Sequence, residues 1–589
     1  MDGTKPIEPP GTYEDGYHLT EDLVDQAIGW IGEMTALTPD KPWFTYLSFG
    51  ATHAPHHAPK SYLEAERGRF DHGYDRQREM TFARQKELGV IPADAELTAP
   101  SEHVVAYDDL SDADRMVGNR LFEAYAAMAT HTDDQVARLL DNLEEQGVLD
   151  NTLVFHILGD NGASAESGMY GTFNEMAYQN NVLMTTEDIL PRLDEIGGPG
   201  SFNHMPTGWA NALNTPYQWS KIVASHWGGT RTGMIARYPG HIPAGENRHP
   251  FTHVIDVVPT ILEYAQIPQP SQVNGVAQRP IEGVSFKYAA EDAAADERHH
   301  TQYFEIAGNR GIYHDGWTAV TQHLLPWPDP TWVTPPLDED TWELYGPDDW
   351  TQSKNLAAEQ PGKLRELQDR FLIEGAKYNV LPLDDRERER FDPKIAGRPD
   401  LMGSRTTMTL RQGMTRLNEN AVPNVKNTSF TVEATLSVPD EPAQGAIVAQ
   451  GSSFGGWAFY FRDGVPAYAH NFVGMTTMTV RAESAVPAGE HVVALRFDYD
   501  GGGAGKGGTV TLTCDGDPIG SGRVERTTPG LFSFDEGLDV GLDSLEPVVD
   551  DYATPRGAYN GTIDKVVIDV APDAEHDPDL VLKQRYRRQ

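Results

Sequence analysis

The sequence places oxygen ligands directly after an apolar run. Residues 153–158 are mostly apolar and are followed by Gly159, Asp160, Asn161 and Gly162. A short apolar run that ends in turn residues indicates a buried β-strand, and open α/β sheets carry their chemistry just beyond such strand ends. A carboxylate and an amide oxygen at that point suit Ca²⁺ or Mg²⁺. Asp-Asn-Gly is also ordinary turn chemistry, so the pair alone leaves both interpretations open.

A histidine-rich loop follows a second predicted strand. Residues 43–49 are aromatic and β-prone, and they lead into the run His53-Ala-Pro-His-His-Ala-Pro59. A histidine just past a strand end can act as a general acid or base near neutral pH, with the prolines stiffening the loop. An exposed histidine-rich turn explains the run equally well. Zinc is disfavoured, because no carboxylate motif such as His-Glu-x-x-His follows.

The third cluster is Lys221, with His226 five residues later in the chain. A lysine is a compact cation that can hold an oxygen of a sulfate or phosphate group. A lone lysine is more often an ordinary surface charge. Its neighbours here include Ile222, Val223, Trp227 and two glycines, and a lysine in such an apolar setting favours a bound anion.

The pattern of elements predicts a parallel α/β region that positions these clusters. Apolar residues at helical spacing predict a helix that begins near Thr20 and a long helix over residues 119–146. Strand candidates cover residues 152–158 and 232–238, and a helix is expected over 256–265. Strand, helix and strand in succession are typical of a parallel sheet with helices on both faces. Residues 163–220, here named the insertion, are expected to shape substrate choice, because long loops are commonly functional.

The remainder of the chain predicts two further domains. Short antiparallel strands between residues 300 and 345 and a helix over 363–378 indicate a small α+β subdomain. Beyond residue 400, apolar or alternating strands separated by Asp-Gly turns indicate a β-sandwich, similar to the concanavalin/laminin-G-like jelly roll. We therefore divide the chain into an α/β catalytic domain (1–285), the α+β subdomain (286–398) and the β-sandwich (399–589).

Composition excludes some classes of function. The 589-residue chain has 47 Lys plus Arg and 88 Asp plus Glu, giving a net charge of −41. A chain with this much negative charge is not expected to have nucleic acid or an anionic membrane as its main partner. Cys514 is the single cysteine, so an intramolecular disulfide is excluded and no cysteine zinc site is expected. No apolar run is long enough to span a membrane.

The three clusters, in their order along the chain, resemble those of the type I sulfatases of the alkaline phosphatase superfamily. The resemblance is greatest to bacterial arylsulfatases with a C-terminal β-sandwich. The stretches that carry the resemblance are residues 49–59, 159–166, 171–175, 217–231, 303–305 and 311–317. It implies that Asp160 and Asn161 are ligands of a Ca²⁺ cofactor. It also implies that His53 protonates the leaving alcohol or phenol, that Lys221 binds a sulfate oxygen, and that His226 lines the same pocket.

The resemblance also implies parts that we do not expect to find in this chain. The family nucleophile is a formylglycine made from a Cys/Ser-x-Pro/Ala-x-Arg motif, and Cys514 lacks both the proline and the arginine. We expect that motif, the family's paired aspartates after a first strand, and an upstream lysine and histidine to be absent. Either the chain lacks an N-terminal portion, which the retained His53, Asp160, Asn161 and Lys221 favour, or the protein is catalytically inactive. In the first case we expect an exposed sheet edge, and in both cases little or no turnover of sulfate esters.

Two other functions remain open from the sequence. A phosphodiesterase or phosphonate monoester hydrolase of the same superfamily would use the same metal and sheet. A non-catalytic glycan-binding protein would use the β-sandwich as a lectin. The expected partner is a small-molecule or glycan sulfate ester, whereas oligomeric state and compartment (periplasmic, secreted or cytoplasmic) stay undetermined.

Overall fold

The computed structural model describes residues 3, 7, 9–182, 184–327, 332–386 and 396–571. The fold class is confirmed in outline: an α/β region is followed by a small α+β subdomain and an all-β region. Eleven helices lie in the described part of the chain, at Leu19–Leu37 (α1), Lys60–Ala65 (α2), Tyr74–Glu87 (α3), Asp112–Glu145 (α4), Glu175–Gln179 (α5), Thr186–Ile189 (α6), Thr207–Leu213 (α7), Trp227–Thr230 (α8), Val257–Tyr264 (α9), Lys287–Glu291 (α10) and Pro361–Lys377 (α11).

The long helix α4 organises the core of the α/β region. It begins seven residues before the predicted start, because Ser111 caps it: the Ser111 hydroxyl accepts a hydrogen bond from the Asp114 backbone N–H at 3.1 Å. Apolar residues on one face, including Leu121 and Ala124, are fully buried against the insertion and the short helix α2. The helix therefore anchors the segments that surround the candidate site.

The central sheet is smaller than the sequence predicts. Its two strands, Val154–Ile157 (β1) and Met234–Arg237 (β2), are antiparallel, with Val154 opposite Arg237. The prediction of a parallel sheet here is therefore wrong. So is the predicted strand over 43–49, which pairs with no strand and leaves Tyr46 82% exposed. Strand propensity measures how well a side chain fits a paired, half-buried surface, and the described residues offer segment 43–49 no neighbouring strand.

An apolar surface is exposed on this two-stranded sheet. Ile157 on one strand, Leu158 directly after it and Ile235 on the other strand are more than a third exposed. Both strands have one edge without a pairing partner among the described residues. This agrees with the expected exposed edge and contradicts the expectation that strand 153–158 is buried on both faces.

The α+β subdomain is built on a four-stranded antiparallel sheet that agrees with the predicted short strands. Helix α11 packs on it through Leu367 and Phe371, which contact Ile312 in the core. The strands are Thr301–Ile306 (β5), Asn309–His314 (β6), Trp317–Thr321 (β7) and Glu343–Tyr345 (β8), and a separate two-stranded hairpin precedes them at Gln272–Val273 (β3) and Val276–Ala277 (β4).

The C-terminal region is a β-sandwich of a six-stranded and a five-stranded antiparallel sheet. In its central strand β10 every second residue is buried, so one face packs on the opposite sheet. The strands are Thr407–Leu410 (β9), Phe430–Val438 (β10), Gly445–Ser452 (β11), Gly455–Arg462 (β12), Val465–Phe472 (β13), Thr476–Arg481 (β14), Gly489–Tyr499 (β15), Gly508–Cys514 (β16), Asp517–Val524 (β17), Leu538–Val540 (β18) and Thr562–Val570 (β19).

The proposed domain boundaries at residues 285/286 and 398/399 stay predictions. Residues 387–395 and 572–589, which belong to the second and third predicted domains, lie outside the described residues. None of the helices in the described ranges is long and apolar enough to cross a membrane.

Buried carboxyl groups make the stability of the β-sandwich pH-dependent. Burial raises the pKa of Asp543 to about 7 and that of Glu536 to about 8. Between the ordinary carboxyl pKa and these values, the folded sandwich keeps carboxyl protons that the unfolded chain releases, so the contribution of these two groups to stability falls as pH rises. Buried His470 acts in the opposite direction up to about pH 6.5, because burial lowers its pKa to about 3. Between pH 6.5 and pH 8 the two carboxyl groups dominate, and we expect the sandwich to lose about 2 kcal/mol and about 4–8 °C in Tm there, measured by calorimetry.

The Asp543→Asn variant provides the control for this pH dependence. An asparagine oxygen can still accept the hydrogen bonds that Asp543 receives from the Val548 N–H and the Tyr552 hydroxyl, but it does not titrate. We expect a flatter dependence of Tm on pH for this variant. A wild-type Tm that stays constant or rises from pH 6.5 to pH 8 would contradict the prediction.

Candidate active site

Close contact between two loops brings the metal-ligand candidates towards the candidate anion-binding lysine. The Gly162 N–H donates to the Gly229 carbonyl at 3.0 Å, and the Lys221 N–H donates to the Ala163 carbonyl at 3.1 Å. A Cβ atom on Gly162 would lie 1.7 Å from the Gly228 carbonyl oxygen. Glycine is therefore required at Gly162 for the loop after β1 to lie against α8 and the loop that precedes it.

Lys221 lies between a histidine and a carboxylate. Its Nζ is 2.7 Å from Glu166 Oε2 and 3.3 Å from His53 Nε2, and its side chain is 22% exposed. His53 Nδ1 is 2.8 Å from the Ala54 carbonyl oxygen. Because a carbonyl only accepts, Nδ1 carries the proton in neutral His53, and Nε2 presents its lone pair to the ammonium group. The structure thus brings the predicted pair His53 and Lys221 into direct contact.

Glu166 is a site residue that the sequence reasoning missed. Its Oε2 also accepts a hydrogen bond from the Ser164 hydroxyl at 2.9 Å, which holds the carboxylate beside Lys221. A signal was present, because Glu166 follows Asp160, Asn161 and Gly162 within a few residues. Spacing gave no indication that this carboxylate, rather than one of 87 others, would meet the lysine.

Asp160 and Asn161 offer the type of donor atom that a hard cation prefers, but too few donor atoms to complete its coordination shell. Asp160 is exposed and Asn161 is half-buried, and within the described ranges neither side chain has a hydrogen-bond or ion-pair partner. Their oxygens are thus available to a cation, and carboxylate and amide oxygens are the donors that Ca²⁺ prefers. Ca²⁺ takes about six to eight oxygens, so this pair supplies only part of a calcium shell.

His226 is fully buried, and its contacts differ from those of Lys221. Its Nδ1 is 2.9 Å from the Ser225 hydroxyl, and its Nε2 is 3.3 Å from Glu343 Oε2. Burial raises the pKa of Glu343, but the contact with His226 outweighs burial and the net pKa is lowered. No contact between His226 and Lys221 appears among the described hydrogen bonds and ion pairs, and the role of His226 in a sulfate pocket stays a prediction.

A buried polar cluster, consisting of Glu175, His204 and His56, lies behind His53. His204 Nδ1 is 3.6 Å from Glu175 Oε2, an ionic contact longer than a hydrogen bond, and the rings of His56 and His204 meet edge-to-face at 5.6 Å. Burial raises the pKa of Glu175, but His204, His53 and Lys221 lower it more. Burial, with the neighbouring histidines, lowers the pKa of His56 well below its usual value. The cluster therefore favours a carboxylate at Glu175 and a neutral ring at His56.

The insertion, which carries Glu175 and His204 of this cluster, is attached to the β-sandwich. Asn174, which caps α5 directly before Glu175, donates from Nδ2 to the carbonyls of Val473 (2.7 Å) and Phe454 (3.3 Å). Asn180, at the end of α5, accepts from the Gly530 N–H and donates to the Leu531 carbonyl, both at 2.8 Å. The β-sandwich thus holds one wall of the candidate site through buried hydrogen bonds.

We expect Asn174→Ala to loosen the insertion. The substitution removes a helix cap, worth about 1 kcal/mol, and leaves a buried carbonyl unpaired at about 1–3 kcal/mol. Hydrogen exchange should therefore be faster in residues 170–182. The control is Asn151→Ala, an exposed asparagine, which should leave exchange there unchanged. Equal protection of the insertion in both variants would show that the sandwich does not hold it.

One run in the sequence fits the formylglycine pattern literally, contrary to expectation. Ser111-Asp-Ala-Asp-Arg115 has the serine, alanine and arginine at the required spacing. In the structure Ser111 is the cap of α4, is exposed, and donates to Asp114 Oδ2 at 2.6 Å. No described contact joins it to His53, Lys221 or Asp160, so the fold uses this run to begin a helix.

These features define an α/β protein whose site combines hard oxygen donors with a lysine and a histidine. Residues 3–267 match the family model described as Sulfatase. The chain is 28% identical over 384 residues to an uncharacterized sulfatase of Schizosaccharomyces pombe, covering 62% of each chain. It is 29% identical over 274 residues to an arylsulfatase of Klebsiella aerogenes, covering 46% of this chain and 56% of the relative.

Among solved structures, one similar chain is Ps i-CgsB in complex with k-i-k-neocarrahexaose, at 15% identity and a TM-score of 0.38, covering 65% of this chain and 60% of that one. A likeness at that score carries no argument about function. The chain spans about six-tenths of the length of the curated relatives. Residues 3–267 are thus similar to the sulfatase family, and the two relatives are a sulfatase and an arylsulfatase.

Proposed function

We propose that this chain contributes the sulfate-binding side of a sulfatase site that hydrolyses sulfate monoesters to an alcohol or phenol and sulfate. The observation that carries the proposal is the contact of Lys221 Nζ with His53 Nε2 at 3.3 Å, next to the loop of Asp160 and Asn161. A positive charge and a proton carrier at one point suit an ester whose leaving oxygen needs a proton.

Each residue has a distinct part in this proposal. Lys221 binds a sulfate oxygen and neutralises its charge. His53, when protonated, donates from Nε2 to the leaving oxygen, with its ring oriented by the Ala54 carbonyl. Asp160 and Asn161 hold part of the coordination shell of Ca²⁺, which when bound would polarise the sulfate group. Glu166 forms an ion pair with Lys221 until an anion displaces the carboxylate. His226 remains a candidate residue of the same pocket.

We further propose that the nucleophile is a formylglycine outside this chain. Neither Cys514, on the β-sandwich, nor Ser111, at the start of α4, contacts His53 or Lys221 among the described residues. Without a nucleophile, and with two metal-ligand side chains, the chain by itself is expected to bind sulfate but to turn over aryl sulfates at or near the uncatalysed rate.

Titration calorimetry with inorganic sulfate, in the presence and absence of Ca²⁺, tests the binding part of the proposal. We expect sulfate binding that strengthens with Ca²⁺, because the cation adds positive charge beside Lys221. Failure to bind sulfate under both conditions would overturn the assignment of Lys221. Substantial aryl sulfate turnover by the chain alone would overturn the assignment of the nucleophile.

A turnover comparison separates sulfate from phosphate chemistry. The chain would be joined to a segment that carries paired aspartates and the formylglycine motif, and sulfate, phosphate and phosphonate esters would be assayed in parallel. We expect the aryl sulfate to have the highest kcat/KM. Faster hydrolysis of the phosphate or phosphonate ester would instead assign the site to a phosphoester hydrolase of the same superfamily.

A further inference from the structure

A second group of metal-ligating side chains lies on the β-sandwich, at one end of two neighbouring inner strands of the six-stranded sheet. His491 belongs to β15, Cys514 is the last residue of β16, and Asp515 begins the turn that follows. His491 Nδ1 is 2.7 Å from Asp515 Oδ2 and 3.7 Å from Cys514 Sγ, and Sγ is 3.8 Å from Oδ2. One nitrogen, one sulfur and one oxygen thus converge on a single point.

The backbone of two paired strands fixes these donors. The Asp515 N–H donates to the Val492 carbonyl at 2.8 Å, and Asp515 Oδ1 accepts from the Val492 N–H at 2.9 Å. Because Oδ1 is occupied, Oδ2 is the oxygen left to face His491. The pairing of Val493 with Cys514 in the ladder of β15 and β16 sets the third donor beside the other two.

The spacing of the donors is close to that of a tetrahedral zinc site. Donor atoms about 2.0–2.3 Å from zinc lie roughly 3.3–3.8 Å apart. Two of the three separations already fall there, at 3.7 and 3.8 Å. The third, now a hydrogen bond of 2.7 Å, would have to open by about half an ångström as zinc replaces the proton between His491 and Asp515.

We propose that His491, Cys514 and Asp515 form a binding site for a divalent borderline metal ion, Zn²⁺ or Co²⁺, with water as the fourth ligand. A histidine, a thiolate and a carboxylate are all zinc ligands. Binding releases the thiol proton to solvent, and the imidazole proton moves from Nδ1, where it is donated to Asp515 Oδ2, to Nε2 by exchange with solvent. The proposal departs from the expectation, drawn from the cysteine count, that the chain has no cysteine zinc site.

The single cysteine makes cobalt a specific reporter. Co²⁺ added to the reduced, metal-free chain should produce a thiolate-to-cobalt charge-transfer absorption at one equivalent, and only Cys514 can give it. Zn²⁺ should abolish this absorption by displacement. His491→Ala and Asp515→Asn should each weaken cobalt binding at least tenfold, since each removes one of three protein ligands.

The matched control is His300→Ala. His300 Nδ1 makes a similar contact with Asp315 Oδ1 at 2.9 Å, and no cysteine lies beside this pair in the part of the chain that the structure describes. The control should bind cobalt as the wild type does. A missing charge-transfer absorption in the wild type, or equal cobalt affinity in His491→Ala, would overturn the proposal.

A second measurement does not depend on the variants being folded. Saturating Zn²⁺ should slow the reaction of the wild-type Cys514 thiol with a disulfide reagent at least tenfold, because a metal-bound thiolate is a poor nucleophile. An unchanged rate would count against the site. This test uses no sulfatase activity and is independent of the proposed function.

Discussion

Gly162→Ala is expected to destabilise the candidate site strongly, because the new side chain has no space between the two loops. The added Cβ would lie 1.7 Å from the Gly228 carbonyl oxygen and 3.1 Å from Asn214 Oδ1. The backbone oxygen cannot move aside without breaking the Gly162–Gly229 hydrogen bond and shifting the loop that carries Lys221. Overpacking and lost backbone hydrogen bonds together should cost about 3 kcal/mol or more.

Denaturant unfolding followed by tryptophan fluorescence measures this effect, with hydrogen exchange of residues 159–166 and 218–231 as the local readout. The matched control is Gly29→Ala, where the new Cβ has no atom within 4 Å inside helix α1. Alanine should be neutral or stabilising there, by up to about 1 kcal/mol. Similar stabilities of the two variants would show that the two loops do not meet as described.

Lys221 and Glu166 are expected to affect sulfate affinity in opposite directions. Lys221→Met keeps the aliphatic stem but removes a charge-assisted hydrogen bond worth about 1.5–3 kcal/mol, so the sulfate Kd should rise roughly 10- to 100-fold. Glu166→Gln removes the carboxylate that contacts Nζ at 2.7 Å. Because a partly exposed ion pair is worth up to about 1 kcal/mol, that variant should bind sulfate roughly two- to fivefold more tightly.

Titration calorimetry of both variants against inorganic sulfate measures these changes. Lys60→Met is the control, because Lys60 is an exposed lysine at the start of α2. It should lower affinity only slightly, through the net charge of the chain. If Glu166→Gln instead weakened sulfate binding, the carboxylate would be orienting Lys221 for the anion rather than competing with the anion for it.

Patterns within single elements were predictable from the sequence. The helical spacing over 119–146, the alternation in the sandwich strands and the Asp-Gly turns each reflect the environment of one segment. In the structure these become α4 and strands such as β10, and the turn residues Asp463 and Asp515 have positive φ. Local sterics and the period of burial are properties of a short window of sequence.

The pairing of distant segments could not be predicted from the sequence. The aromatic run 43–49 has strand propensity, yet it pairs with none of the strands in the described ranges, and β1 meets β2 in antiparallel rather than parallel register. Direction and pairing depend on which neighbours are available, and a strand-like sequence does not specify its neighbour.

For the candidate site, the sequence by itself determined the residue types: a histidine after a proline-rich loop, a carboxylate beside an amide, and a lysine in an apolar stretch. Only the tertiary structure decided which of them meet. It put Lys221 against His53 and Glu166, buried His226 against Glu343, and fastened the insertion to the β-sandwich through Asn174. The reason is physical: ion pairs and hydrogen bonds act over about 3–4 Å, and residues that are far apart in the sequence reach that distance only when packing fixes the loops that carry them.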